Sequence, residues 1–293
     1  MSERFSFGLL GYPLEHSLSP LVQEVALQAH DLQGEYNLYP VSDKRDLPGM
    51  IGQLREGRIN GLNVTIPYKH TVSKMMDVLS TTASLIGAVN TISFQHNQLV
   101  GDNTDADGFI ADLERLGWFP EADQLRSALV LGAGGAARAI VYALRERGWQ
   151  LTVAARRIEQ TEILVQSLSS EPSGRHIQGK VKSSPFNIQS LEDLEPPPDL
   201  IINTTPLGMY PHLDASPWPS GLALPSKAAV YDLVYNPAQT AFIGQAQEAG
   251  LRATGGIGML VEQAARSFEI WTGLVAPRIE MHRSVVAYIK GGR

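Results

Sequence analysis

The run Ser127-Ala128-Leu129-Val130-Leu131 leads without a spacer into Gly132-Ala133-Gly134-Gly135-Ala136-Ala137-Arg138, and a helical pattern follows from Ala139 to Arg147. Strand, glycine turn and helix in that order constrain the fold more than any other stretch of the chain. In a dinucleotide-binding fingerprint the first glycine permits a tight turn and the second lets a pyrophosphate approach the backbone. A small third residue then lets the helix pack closely on the strand. Gly132, Gly134 and Ala137 fill those places. The glycines alone would also fit a purely structural turn; the flanking strand and helix favour the nucleotide.

The next strand, Gln150 to Ala154, ends in Ala155-Arg156-Arg157, where an NAD-specific protein usually places a carboxylate for the ribose 2′-hydroxyl. Arginines there can pair with a 2′-phosphate and stack on adenine, so NADP is favoured, while Glu159 keeps NAD use open. Asp199 to Asn203, which opens into Thr204-Thr205-Pro206-Leu207-Gly208-Met209, and Ala228 to Leu233 read as further parallel core strands. Pro196 to Pro198 and Pro211 to Pro219 read as loops. The Rossmann-like dinucleotide domain is thus expected over residues 121–256.

More than a hundred residues precede that domain, and they carry an α/β pattern of their own. Phe5 to Leu10, Tyr36 to Val41, Gly61 to Ile66, Gly87 to Ile92 and Gln98 to Gly101 predict strands. Ser19 predicts an N-cap with Pro20 at the first helical position, and Asp43 to Arg55 and Gly108 to Arg115 predict helices. In Asn63-Val64-Thr65-Ile66-Pro67-Tyr68-Lys69 polar side chains interrupt an apolar strand, and Pro67 suits the first turn of a following helix. Polar residues recur at the other strand ends: Ser17 and Ser19, Thr65 and Lys69, Asn90, then Asn103 and Asp105. Converging on one pocket, such hydroxyls and amides suit a polyhydroxylated ligand with a carboxylate, and a Lys-Asp pair suits proton transfer at a carbinol oxygen. Each also has a structural alternative, such as a helix cap for Asp105. Asn103 to Gly108 with Glu114 nearly fills a calcium-loop pattern, but a strand precedes it where an EF-hand needs a helix, so no metal is expected.

At 293 residues the chain has length for two cores. Cysteine is absent, which removes disulfides and thiolate metal sites and fits a reducing compartment. No basic leader and no long apolar run appear, so a soluble cytoplasmic protein without a membrane partner is expected. The net charge of −6 with scattered basic residues gives no footprint for nucleic acid.

With these residues in view, the sequence resembles the shikimate dehydrogenase family over essentially its whole length. The matching blocks are Gly11 to Pro20, Asn63 to Lys69, Gly87 to Thr91, Asn103 to Asp105, Gly132 to Arg138, Asn203 to Met209 and Gly256 to Ala265. The resemblance implies an oxidoreductase that reversibly reduces 3-dehydroshikimate to shikimate with NADPH, in chorismate and aromatic amino acid biosynthesis. Lys69 would be the general acid-base group and Asp105 its partner. Ser17, Ser19 and Tyr235 would hold the substrate carboxylate, and Asn63, Thr65, Asn90, Asp105 and Gln263 the ring hydroxyls. Gly132, Ala133, Gly134, Gly135 and Ala136 would take the pyrophosphate, Arg156 and Arg157 the 2′-phosphate, and Leu233 and Gly256 would lie near the nicotinamide. Ala155 departs from the family's usual Asn-Arg-Thr and loses an amide contact. The resemblance also implies that residues 257–293 return to the substrate domain of residues 1–120, that the domains meet at a cleft, and that the protein is a monomer or homodimer. A quinate/shikimate dehydrogenase using NAD or NADP and a non-catalytic NADP-binding regulator are the competing readings.

Overall fold

Short β-branched runs alternating with amphipathic stretches produce two six-stranded sheets in the computed structural model, which describes residues 4–118, 126–169 and 179–291. The chain divides into two compact units, residues 1–109 with 260–293, and residues 110–259. The boundary expected at residues 120/121 lies outside the described residues.

The first unit contains β1 (Phe5–Gly11), α1 (Ser19–Ala29), β2 (Gly34–Pro40), α2 (Leu47–Arg55), β3 (Gly61–Val64), α3 (Lys69–Ser73), β4 (Val78–Leu79), α4 (Thr81–Ile86), β5 (Thr91–Gln95) and β6 (Gln98–Asp102). It also takes the start of α5 (Asp105–Arg115). Its sheet runs β2-β1-β3-β5-β6-β4, parallel across the first three strands and antiparallel where β5 joins β3 and β6. His96 and Asn97, both at positive φ, make the two-residue turn of the β5–β6 hairpin. Leu10, Leu47, Leu54, Leu62, Val72 and Ile92 are buried in its core, each contributing about 1.5–3 kcal/mol of hydrophobic stabilisation.

The second unit holds β7 (Ser127–Leu131), α6 (Gly135–Arg145), β8 (Gln150–Ala155), α7 (Ile158–Ser169), β9 (Val181–Pro185), α8 (Ile188–Glu192), β10 (Leu200–Asn203), β11 (Ala229–Asp232), α9 (Ala241–Glu248) and β12 (Ala253–Gly255). All its strands are parallel, in the order β12-β11-β10-β7-β8-β9. This is the doubly wound order of dinucleotide-binding folds, with strand order reversing between β7 and β10. Most of α10 (Ile257–Thr272) and all of α11 (Arg278–Lys290) belong to the first unit, where α11 packs on α1. No helix of the described residues is long and apolar enough to cross a membrane.

Local assignments change where capping or packing overrides pattern. Leu18, not Ser19, takes the N-cap position of α1, and no side-chain cap forms. Pro67 precedes its helix: Thr65 to Tyr68 form a turn closed by Tyr68 N–H donating to Thr65 O at 3.0 Å, and α3 starts at Lys69. Gly87 to Asn90 are not strand. Ser80 caps α4 by accepting from Ala83 N–H, Gly87 ends that helix at φ +70°, and β5 begins only at Thr91.

Candidate active site

Lys69 opens α3 and Asp105 opens α5, and their side chains meet: Lys69 Nζ donates to Asp105 Oδ2 at 2.6 Å. The Lys69 side chain is 15% exposed and that of Asp105 5%, so the pair is shielded yet reachable at the ammonium. Burial of a carboxylate is tolerated only with partners. Asn90 Nδ2 supplies one to the other oxygen, donating to Asp105 Oδ1 at 2.9 Å. Asn103 fixes the backbone of the helix start, its Oδ1 accepting from Asp105 N–H at 3.1 Å and Ala106 N–H at 3.4 Å. The cap is therefore Asn103, and the Asp105 carboxylate is left for Lys69.

Behind this pair lies a buried polar layer that pattern reading missed. Asn90 Oδ1 accepts from Thr104 N–H at 2.8 Å and Thr91 Oγ1 at 3.0 Å. Ser267 Oγ lies 2.8 Å from Thr91 Oγ1, accepts from Asn63 Nδ2 at 2.9 Å and donates to Gln263 O at 3.0 Å. Tyr36 Oη donates to Asn63 Oδ1 at 2.8 Å. Both ends of the Asn63 amide are thus engaged by protein groups. A serine on the apolar face of α10, between Ala264 and Phe268 and one turn after Gln263, was the available signal for this layer.

Gln263 faces the pair from α10, its Oε1 3.5 Å from Asn90 Nδ2. Its approach depends on Gly108, where a Cβ would lie 2.7 Å from Gln263 N. That accounts for the glycine in the calcium-like spacing: Gly108 is inside a helix, Asn103 caps that helix, and Asp105 is paired to Lys69. Ser17 Oγ donates to Ser19 Oγ at 3.2 Å after β1, and Thr65, half-buried, follows the parallel neighbour β3. The structure therefore brings Lys69, Asp105, Asn90 and Gln263 into one bonded group, ties Asn63 to it from behind, and pairs Ser17 with Ser19. Tyr235 stands in the second unit, on the loop after β11.

In that unit Gly132 adopts φ +113° after β7, a conformation L side chains rarely take. Gly134 is the N-cap of α6, with no side-chain cap, and a Cβ there would meet nothing within 4 Å. Together with Ala133, Gly135 and Ala136 this is an open cradle at a helix N-terminus, which fits a pyrophosphate. Arg156 and Arg157 are exposed just past β8. Leu233 and Gly256 are drawn toward the ends of β10 and β11, Leu233 N–H donating to Asn203 O at 3.0 Å and Gly256 N–H to Val234 O at 3.1 Å. Between them Asp232 is fully buried, and burial pushes its carboxyl up to about 6 against the stabilising bonds from Thr240, Val234 and Asn203.

Residues 9–92 match the model of the shikimate dehydrogenase substrate binding domain and residues 256–285 that of the shikimate 5′-dehydrogenase C-terminal domain. A shikimate dehydrogenase (NADP(+)) of Geobacter metallireducens is 39% identical over 97% of this chain and 96% of its own. That of Bacillus subtilis is 36% identical over 98% of both. Among solved structures, shikimate 5-dehydrogenase from Thermus thermophilus in complex with NADP(H) and shikimate superposes with a TM-score of 0.82 at 33% identity, over 97% of this chain and 99% of that one. With this likeness running from end to end and through both units, the chain belongs to the shikimate dehydrogenase family.

Proposed function

We propose that the protein catalyses the reversible NADPH-dependent reduction of 3-dehydroshikimate to shikimate, and serves aromatic amino acid biosynthesis. The observation that carries this is the Lys69–Asp105 pair, shielded, supported by Asn90 and flanked by Gln263. NADPH, when bound, supplies the hydride that reaches the substrate carbonyl carbon. Lys69 gives its proton to the carbonyl oxygen, which becomes the hydroxyl, and recovers a proton from water; the reverse reaction runs the same path with Lys69 as base. Asp105 keeps the ammonium aimed and compensates its charge. Ser17 and Ser19, whose hydroxyls bond each other at 3.2 Å at the start of α1, hold the substrate carboxylate with Tyr235. Thr65, Asn90, Asp105 and Gln263 take the ring hydroxyls, and Asn63 supports them from behind through its bonded amide. The glycine turn from Gly132 to Ala136 holds the pyrophosphate, Arg156 and Arg157 the 2′-phosphate, and Leu233 and Gly256 border the nicotinamide.

Absorbance-followed reduction of NADP and NAD, with shikimate and quinate offered separately, tests this reading. Turnover is expected with shikimate and NADP. Quinate turnover with NAD would favour a quinate/shikimate dehydrogenase, and no turnover with any pair would overturn the catalytic assignment.

A further inference from the structure

Asp232 touches neither of the groups assigned above to phosphate binding or proton transfer, yet it is the most heavily shared acceptor at the carboxyl edge of the second sheet. Its Oδ1 accepts from Asn203 Nδ2 at 2.8 Å and from Val234 N–H at 3.0 Å, and its Oδ2 from Thr240 Oγ1 at 2.7 Å. Asn203 belongs to the connection after β10, and Val234 and Thr240 to the two ends of the connection after β11. Asn203 ends β10 and sets the loop after it, its Oδ1 accepting from Thr205 N–H at 2.9 Å and Thr205 Oγ1 at 2.7 Å. Val234 begins the loop after β11 and accepts through its carbonyl from Gly256 N–H, where β12 passes into α10. Thr240 closes the same loop as the N-cap of α9, accepting from Ile243 N–H at 3.2 Å.

The strand order says what these loops face. A doubly wound sheet binds a dinucleotide across the point where strand order reverses, one mononucleotide on each half. Here the glycine turn follows β7, and the arginines that suit the 2′-phosphate of the adenosine follow β8. The other nucleotide must lie over the carboxyl ends of β10 to β12, where two connections meet on one carboxylate and the entry to α10 is tied to it through Val234.

We propose that Asp232 is a positioning residue for the nicotinamide half of the bound cofactor, setting the loops after β10 and β11 and the entry to α10 in one shape. The inference rests on the proposed dehydrogenase function. An ionised carboxylate can accept from all three donors at once, whereas an alanine removes the acceptor they share, leaving Asn203 Nδ2 only Leu207 O at 3.2 Å.

Full-length protein and its Asp232→Ala and Asp232→Asn variants are compared in two measurements: turnover with shikimate and NADP, and calorimetric binding of adenosine 2′,5′-bisphosphate, which carries only the adenosine end. Asp232→Ala is expected to lower kcat by about a hundredfold, the scale of a misplacement near 1 Å, while the bisphosphate Kd stays within about twofold. Asp232→Asn, retaining an acceptor oxygen for Asn203 and Val234, is expected to recover most of the rate. Should Asp232→Ala fail to fold, Thr240→Val removes one donor and is expected to show the same split at about tenfold. A rate near that of the parent overturns the inference, and so does a bisphosphate Kd that rises in step with the loss of rate. Absence of turnover in the parent protein would instead refute the dehydrogenase reading, and leave the comparison of NADPH and bisphosphate affinities to decide the role of Asp232.

Discussion

Lys69 and Asp105 stand 36 residues apart and meet at 2.6 Å because each opens a helix that follows a strand of the same sheet. Replacing Lys69 with alanine is expected to lower kcat by about 100-fold or more, the usual contribution of a positioned acid-base group, with little change in the KM for shikimate. Steady-state rates with each substrate varied give both constants. A variant with near-normal turnover would remove Lys69 from the chemistry.

Ser267 ties α10 to the floor of the site through Asn63 and Thr91. Ser267→Ala removes one partner each of Asn63 Nδ2 and Thr91 Oγ1, which keep Asn90 as a partner, and is expected to cost about 0.5–1.5 kcal/mol of stability. It should also raise the KM for shikimate more than it lowers kcat. Denaturant unfolding and substrate titration read the two effects; an unchanged KM alongside lost stability would confine Ser267 to packing.

Gly108→Ala drives a methyl group into the backbone of Gln263, 2.7 Å away. Either α10 moves or α5 does, at an expected cost of about 1–3 kcal/mol. Binding of shikimate, followed by calorimetry, should weaken. Affinity equal to that of the parent would show that Gln263 does not set the pocket.

Arg156 and Arg157 are exposed beside the glycine turn's neighbouring strand end. If they read the 2′-phosphate, replacing both with alanine weakens NADPH binding and leaves NADH binding nearly unchanged. Parallel losses for the two cofactors, measured by nucleotide fluorescence, would sink the assignment.

The carboxyl of Asp232 is raised from the ordinary 3.8 to about 6, chiefly by burial. A folded value above the unfolded one means the native chain binds the proton more tightly. The neutral acid's advantage is present in full below about pH 4, and it is lost as pH rises through about 6, amounting to about 3 kcal/mol. Asp232→Asn should therefore flatten the stability profile between pH 4 and 7 and unfold later than the parent at pH 8. Identical profiles for the two proteins would show that the buried charge is already compensated.

Sequence pattern revealed most of the scaffold and singled out Lys69 and Asp105, which the structure brings together, for reasons visible residue by residue. The strand before Gly132 and the helix after it were legible because turn, pattern and packing agree over a dozen consecutive residues. Ser19 misled because its position beside Pro20 suits a cap, while tertiary packing moved the helix start by one residue and turned the hydroxyl toward Ser17. Gly87 to Asn90 carry strand-like residues, but Gly87 ends the short helix capped by Ser80 and the strand starts only at Thr91. Thr91 and Thr104 were unreadable for a different reason. A hydroxyl looks the same in sequence whether it caps, faces solvent or closes a network, and Thr91 finds Ser267 only across 176 positions of chain.

The first unit is discontinuous, closed by residues 260–293, whereas the second is one uninterrupted segment. On a ribosome, where domains fold as units while the chain lengthens, the nucleotide-binding half can finish folding before the half whose synthesis began first. Lys69, Asp105 and Asn90 are then made early and wait, their polar floor open until Gln263 and Ser267 emerge. A truncation ahead of Gln263 would leave the dinucleotide fold attached to an unfinished substrate pocket, so α10 acts as the completion signal for the enzyme's chemistry.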